Sequence, residues 1–153
     1  MPLSSHQRLH LKESLNRAGL KPTRQREQVF AVLLTKRDHP TVEEVWQRSR
    51  ETFQGISLAT VYNCLESFVR SGVVRQVNYE REPTRYCPNL APHAHFKDQE
   101  TGKVYDIELS SDTLETLRQI LPVEFQPEVI EISFHGKKRK ATGKNSQPSR
   151  QTN

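Results

Sequence analysis

The chain has 153 residues, of which 33% are hydrophobic, and its formal net charge is +5. This length fits one ordinary domain or two small ones, and no apolar run approaches the roughly 18 residues that cross a bilayer. The N-terminal residues lack the apolar core of a secretion signal, so we expect a cytoplasmic protein that does not use a membrane. Two cysteines are too few for a disulfide scaffold or a four-cysteine zinc site, so a metal would rely mainly on histidines and carboxylates.

The charge is unevenly distributed along the chain. Residues 1–80 carry 12 basic and 8 acidic side chains, residues 81–136 carry 5 and 10, and residues 137–153 carry 6 and 0. The basic first segment suits a phosphate backbone. The changes of sign predict two modules followed by a basic, disordered tail.

Four helices are predicted in the first half, because apolar residues recur there every three or four positions. Thr41 and Glu44 form a capping box at the start of the third helix, and Ser57 caps the fourth. We expect the inward face of the fourth helix to consist of Leu58, Val61, Leu65, Phe68 and Val69. The first helix is expected over about residues 5–18 and the fourth over about 58–71. Residues 22–23 open the second helix and residues 38–40 end it, and Gly55 ends the third.

After the fourth helix the pattern alternates at residues 73–77 and 84–86, which predicts a β-hairpin. Short helices followed by a hairpin form a winged helix, whose last helix enters the major groove of DNA. Beyond a hinge at 88–92, the pattern predicts strands at about 95–98, 103–109 and 129–135 and a helix at about 111–121. This second core is too small to be stable alone, so we expect two copies of the chain to associate through it.

The sequence thus predicts an α+β protein with two folded parts. The winged-helix DNA-binding domain covers residues 1–87, and a small α/β dimerisation and metal-sensing domain covers residues 93–136. The basic tail covers residues 137–153. Between Cys87 and Asp106 the chain gathers a thiol, two imidazoles and a carboxylate, which are ligands for a transition metal. His93 and His95 are two residues apart, so on a strand they point to one side and can share an ion.

Several motifs in this order resemble the ferric uptake regulator family over about residues 10–136. The matching segments are Gly19-Leu20-Lys21-Pro22-Thr23-Arg24-Gln25-Arg26, His39-Pro40-Thr41-Val42-Glu43-Glu44-Val45, Ser57-Leu58-Ala59-Thr60-Val61-Tyr62, His93-Ala94-His95 and Gly102-Lys103-Val104. The resemblance implies a homodimeric, metal-dependent repressor with one regulatory divalent ion per subunit, Fe or Mn with Zn as a possibility, held between the domains. The positions that match the family's ligands are His39, Cys87, His93, His95 and Asp106.

Two departures from the family pattern concern other metal sites. A Cys-x-x-Cys pair that usually follows the His-x-His motif is replaced by residues 98–101, and a second pair is replaced by residues 137–140. We therefore expect no structural four-cysteine zinc. Ala94 and Ile130 stand where some relatives have the ligands of an additional site, so one metal per subunit is expected.

The same resemblance implies contacts with double-stranded DNA, in an A·T-rich inverted-repeat operator. Tyr62 matches an aromatic residue that contacts bases, and its ring can touch a thymine methyl. Asn63 can bind an adenine edge or a phosphate, and Ser57 and Thr60 can bind phosphates at the start of the helix. Arg17 matches a basic residue that enters a narrow minor groove.

The signal that the repressor senses has three interpretations. Asp106 resembles the peroxide-responsive branch of the family, in which Fe(II) reacts with peroxide and a ligand histidine is oxidised, here His39 or His93. Cys87 resembles zinc-uptake regulators, because a soft thiolate favours zinc, and iron uptake is a third possibility. We favour peroxide sensing.

Two alternatives come from other classes of protein. Two histidines and one carboxylate could form the facial triad of an Fe(II) enzyme, but the sequence shows no second acid/base constellation and an enzyme has no need of a winged helix. We therefore expect no enzymatic activity. The other alternative is a metal-independent, architectural DNA-binding protein.

Overall fold

The structure is a computed structural model that describes residues 2–139, so the basic tail beyond Arg139 lies outside the described residues. Helices occupy most of the first half, and a short wing and a three-stranded sheet follow. The helices are α1 Ser5–Arg17, α2 Arg24–Thr35, α3 Val42–Thr52, α4 Leu58–Arg70 and α5 Ser111–Gln119. The strands are β1 Arg75–Val77, β2 Arg85–Cys87, β3 His93–Asp98, β4 Val104–Glu108 and β5 Ser133–Gly136.

Side-chain caps fix where the helices of the first half begin. The capping box predicted for α3 is present: Glu44 Oε2 accepts from the Thr41 N–H at 2.8 Å, and Thr41 Oγ1 accepts from the Glu44 N–H at 3.4 Å. Ser57 caps α4 as predicted. The four helices enclose one apolar core, in which Leu11, Leu15, Val29, Leu33, Val45, Val61, Leu65 and Phe68 are fully or almost fully buried.

The prediction that Leu58 faces the core is wrong, because its side chain is 40% exposed. The buried stripe of α4 is centred on Cys64 and Phe68. Leu58 lies about a quarter-turn from that centre, since each residue turns a helix by roughly 100°. It shares an exposed side of α4 with Tyr62, four residues later.

The wing consists of β1 and β2, paired antiparallel with Arg75 opposite Cys87 and Val77 opposite Arg85. Strand β2 also binds the segment that precedes α3. The Tyr86 N–H donates to the Pro40 carbonyl at 3.0 Å, and Thr41 forms a β-bridge with Arg85. The end of the wing is thereby fixed against the start of α3.

The second half is built on a sheet of order β4-β3-β5, in which β3 is antiparallel to β4 and parallel to β5. The final strand is shorter than predicted, because it pairs only with His95–Asp98 of β3. Strand side chains alternate between faces, so His93, His95 and Lys97 share one face of β3. That face packs against the wing, as the contacts of Cys87 with His93 and of Glu82 with Lys97 indicate.

Helix α5 forms as predicted, but within residues 2–139 none of its side chains is buried. The apolar residues after it are still more exposed: Val123 is 97% exposed and Phe125 is 60% exposed. A subunit on its own therefore leaves this apolar surface in water, at a cost of roughly 25 cal/mol per Å².

Candidate metal centre

Four potential ligands converge between the two halves of the molecule: His39, Cys87, His95 and Asp106 each offer one atom within 4.8 Å of the others. His39 comes from the segment before α3, and Cys87 ends the wing strand β2. His95 and Asp106 are directly opposite each other on β3 and β4. The helical half and the sheet therefore each contribute two of the four.

Asp106 Oδ1 lies at the centre of the group. It is 2.7 Å from His39 Nε2 and 3.6 Å from the Nε2 atoms of both His93 and His95. The Cys87 Sγ atom lies 3.9 Å from the same oxygen. All five predicted ligands thus meet at one carboxylate oxygen.

His93 is not one of the four mutually close residues, but it contacts three of them. Its Nε2 lies 3.5 Å from Cys87 Sγ and 3.0 Å from His95 Nε2, in addition to its contact with Asp106. Its Nδ1 donates to the Ala91 carbonyl at 2.7 Å. In the neutral ring this bond leaves the Nε2 lone pair facing the group.

His39 has an unusual backbone conformation, with φ +57°. Residues other than glycine rarely adopt this left-handed conformation, and the following Pro40 restricts His39 further. The wing holds the strained segment in place: the Arg85 guanidinium donates to the His39 carbonyl at 3.1 Å. The His39 side chain is consequently buried, with 3% exposure, and aimed at Asp106.

The arrangement of these groups fits a transition metal ion. A tetrahedral ion with bonds of about 2.0–2.3 Å requires ligand atoms about 3.3–3.8 Å apart, and the separations observed here bracket that range. Imidazole nitrogens, a thiol and a carboxylate crowd together at a buried point, and a bound cation would compensate the concentration of lone pairs.

Burial determines the protonation of the group. It lowers the pKa of His95 to about 4, with the charges of His39 and His93 adding to the effect. Burial also lowers the pKa of His39, although Asp106 opposes it. Burial raises the pKa of the Cys87 thiol to about 11. Burial by itself would raise the pKa of Asp106, but the hydrogen bond from Asn89 and the nearby histidines outweigh burial, so the pKa is lowered. At neutral pH the imidazoles of His39 and His95 are therefore ready to bind metal, and the thiol must first lose a proton.

Residues 17–135 match the sequence model of the ferric uptake regulator family. The chain belongs to the ferric uptake regulator family. It is accordingly a metal-responsive transcriptional repressor of that family and not an enzyme.

Among its relatives, the peroxide-responsive repressor PerR of Staphylococcus epidermidis (strain ATCC 12228 / FDA PCI 1200) is 34% identical over 107 residues, which are 69% of this chain and 71% of that protein. PerR of Staphylococcus aureus (strain Mu50 / ATCC 700699) is 34% identical over 95 residues, 62% of this chain and 64% of that protein. The chain thus spans roughly two thirds of the length of these relatives.

The fold is shared with a solved structure of the ferric uptake regulator from Pseudomonas aeruginosa with manganese. The two superpose with a TM-score of 0.71 at 24% identity, covering 84% of this chain and 97% of that chain. The predicted α+β architecture, with a winged helix followed by a small α/β domain, is confirmed. None of the helices within residues 2–139 is long and apolar enough to span a membrane.

In this family member the position of the expected cysteine pair is taken by a hydrogen-bonded turn. Asp98, at the end of β3, accepts from the Thr101 hydroxyl at 2.7 Å and from the Glu100 N–H at 3.1 Å. The Gln99 N–H donates to the Gly136 carbonyl at 2.8 Å and so joins the turn to the end of β5. That this position holds no structural zinc remains a prediction. The second expected cysteine pair is replaced by residues 137–140, of which Lys140 lies outside the described residues.

Four of the five predicted DNA-contacting residues are exposed, and the fifth, Thr60, is half-buried. Tyr62 is 50% exposed on α4, and Asn63 beside it is exposed as well. Ser57 Oγ caps the helix by accepting from the Thr60 N–H at 3.0 Å. Arg17, at the end of α1, is exposed and bonds to Ser14. Their roles in DNA recognition remain predictions.

A second contact joins the wing to the sheet, away from the metal ligands. Lys97 on β3 forms an ion pair with Glu82 of the wing loop, and its ammonium group lies 4.5 Å from the centre of the Tyr79 ring. That ring packs edge-on against His135, with centroids 5.5 Å apart. The Lys97 side chain is only 11% exposed, so Glu82 and Tyr79 stabilise a charge that burial disfavours.

Replacing Lys97 by Glu should weaken this contact, because two carboxylates would then face each other. We expect a rise in the metal concentration needed for half-maximal DNA binding, since the ion must then close the wing onto the sheet without help. The double variant Lys97→Glu with Glu82→Lys should restore most of the loss. Titration with Mn(II) in a DNA-binding assay measures this, and equal titrations of wild type and Lys97→Glu would contradict the prediction.

Two residues that join the halves of the molecule were not predicted from the sequence. Asn89 donates from its amide to Asp106 Oδ2 at 2.7 Å, and Lys97 forms the second contact. Asn89 lies in the expected hinge and Lys97 reads as an ordinary strand residue. The available signal for Lys97 was its spacing: it continues the face of His93 and His95 by two more residues.

Proposed function

We propose that a divalent ion bound by His39, Cys87, His95 and Asp106, with His93 beside them, switches this repressor onto DNA. The observation that carries the proposal is the meeting of donors from both halves of the molecule at Asp106 Oδ1. Loops and strands that are far apart in the sequence supply them. An ion bound there would hold the winged helix at one angle to the sheet.

The metal acts as the ligand of a two-state equilibrium in this proposal. Without it, His39 and Asp106 are joined only by their hydrogen bond, and the helical half can swing away. With it, the angle that suits DNA is selected. An ion can shift the equilibrium only by its preference for the closed arrangement.

Dimerisation supplies the second requirement for reading an inverted repeat. The apolar surface of α5 and the residues after it supports a contact with a second copy, because Val123, Phe125 and Val129 are 97%, 60% and 72% exposed in a single chain. A symmetric dimer would present two copies of α4, with Tyr62 and Asn63, to two half-sites of duplex DNA.

Hydrogen peroxide is the proposed signal. Both PerR relatives are named as peroxide-responsive repressors, and Asp106 matches the pattern of that branch. Bound Fe(II) would activate peroxide for transfer of one oxygen to a nearby imidazole, and the other oxygen would leave as water. His39, His93 and His95 lie within 3.6 Å of Asp106 Oδ1, and an imidazole oxidised there would no longer offer its lone pair. The angle between the halves would then be released.

Zinc sensing is the second candidate, and one observation favours it. The buried Cys87 thiol points at the centre of the site, and thiolates favour zinc over iron and manganese. A zinc-loaded repressor would stay bound to DNA in the presence of peroxide, because zinc has no redox chemistry.

DNA binding under controlled metal loading separates these candidates. A duplex selected from a random pool by the Mn(II)-loaded protein serves as the probe, and binding is measured with Fe(II), Mn(II) or Zn(II), with and without peroxide. We expect binding with Fe(II) and Mn(II) and loss of binding only when the Fe(II) form meets peroxide. Mass spectrometry should then find one added oxygen on His39, His93 or His95.

Cys64→Ser provides the control for general thiol oxidation, since Cys64 is buried in the helical core and is not among the grouped ligands. It should respond to peroxide as wild type does. Peroxide-resistant binding by the Fe(II) form, with binding driven by Zn(II) alone, would establish the zinc candidate instead. Tight, selective binding that a chelator does not affect would exclude both.

A further inference from the structure

The hinge between the two halves contacts the metal ligands directly. Asn89 is half-buried in this segment, and its amide Nδ2 donates to Asp106 Oδ2 at 2.7 Å. The same side chain closes a local turn, because its Oδ1 accepts from the Ala91 N–H at 3.1 Å. Both ends of the Asn89 amide are therefore engaged, and its orientation is fixed.

The two oxygens of Asp106 have different surroundings. Oδ1 faces the three imidazoles and the thiol, whereas Oδ2 accepts the hydrogen bond from Asn89. A carboxylate can bind an ion through one oxygen or through both. Rotation of Asp106 to offer both oxygens would require Oδ2 to leave the amide.

We propose that Asn89 is a positioning residue that holds Asp106 as a one-oxygen ligand. This inference rests on the proposed metal site and adds a determinant of its coordination number. A single carboxylate oxygen, with two or three imidazoles and a thiolate, keeps the coordination number low. Without the Asn89 amide, the second oxygen becomes available and a larger coordination number is accessible.

A second hinge contact supports this role. The Ala91 carbonyl accepts from His93 Nδ1 at 2.7 Å, so one short segment orients both Asp106 and His93. Partners of this kind, one step out from the ion, fix the orientation of the ligands and strengthen binding. The hinge therefore takes part in forming the site, and a change in its conformation would move two ligand side chains together.

The test compares Asn89→Ala and Asn89→Ser with wild type, using Co(II) as the probe. Alanine removes both hydrogen bonds, whereas serine can still close the turn through its hydroxyl but is too short to reach Asp106. Asn78→Ala is the matched control, because Asn78 is a wing-loop asparagine that bonds to Thr84 and not to the ligands.

For both Asn89 variants we expect Co(II) affinity to fall by roughly ten- to a hundredfold. The visible absorption per bound ion should also fall, because Co(II) absorbs less strongly when its coordination number rises. Asn78→Ala should match wild type in both measurements. Wild-type spectra and affinities in both Asn89 variants would overturn the inference, and so would a wild-type spectrum in Asn89→Ser alone, which would assign the effect to the turn. Failure of the wild-type protein to bind Co(II) at all would instead count against the proposed metal site.

Discussion

Replacing His39 by Asn is expected to abolish metal-dependent DNA binding while both halves stay folded. His39 is the ligand that joins the segment before α3 to the sheet, through Asp106. Asparagine tolerates the left-handed conformation that His39 adopts at φ +57°, so the substitution removes the imidazole without adding backbone strain. An alanine at this position would add such strain and confuse the result.

Metal affinity should fall by at least about a hundredfold, because outer-shell changes alone cost up to that much. Anisotropy of labelled DNA, titrated with Mn(II), measures the loss, and circular dichroism checks that the fold is kept. His10→Asn is the control, since His10 lies on α1 and is not among the ligands. If His39→Asn retained wild-type metal dependence, the ion would not bridge the two halves.

The second large effect concerns Cys87 and the pH dependence of metal affinity. Because burial raises the pKa of this thiol to about 11, the thiol is protonated at neutral pH and must release a proton when it binds an ion. The pKa of His95 is about 4, so His95 releases none. We therefore expect affinity to rise about tenfold for each pH unit between about pH 6 and 9.

Cys87→Ser should remove most of this slope, because a hydroxyl does not ionise in that range. It should also reduce the preference for Zn(II) over Mn(II), since the soft ligand is lost. Competition with a metal-binding dye at several pH values measures both effects. An equal slope in wild type and Cys87→Ser would show that the thiol does not bind the ion as a thiolate.

The ligand cluster could be expected from the sequence because its motifs lie in a known order. Two residues apart on one strand, His93 and His95 had to share a face, and the antiparallel register then places Asp106 opposite His95. The contacts of Asn89 and Lys97 could not be expected in the same way. They depend on the angle between the two halves, and no local pattern encodes that angle.

In the helical half, too, local features could be predicted from the sequence and features that depend on packing could not. Caps such as Thr41 with Glu44 are local, so sequence alone locates the start of α3. Leu58 was misplaced because the period of a helix gives its apolar side only approximately, and the exact centre of the buried stripe depends on neighbouring helices. The short β5 likewise depends on its pairing with β3, over residues distant in the chain.

The turn at Asp98 has a consequence for the fate of the repressor under oxidative stress. Its oxygens hold the end of the sheet without sulfur, and residues 93–136 contain no cysteine. Oxidants that convert thiols to disulfides thus have no thiol to attack there. The proposed peroxide response would therefore act at the metal ligands and leave the turn at Asp98 chemically unchanged.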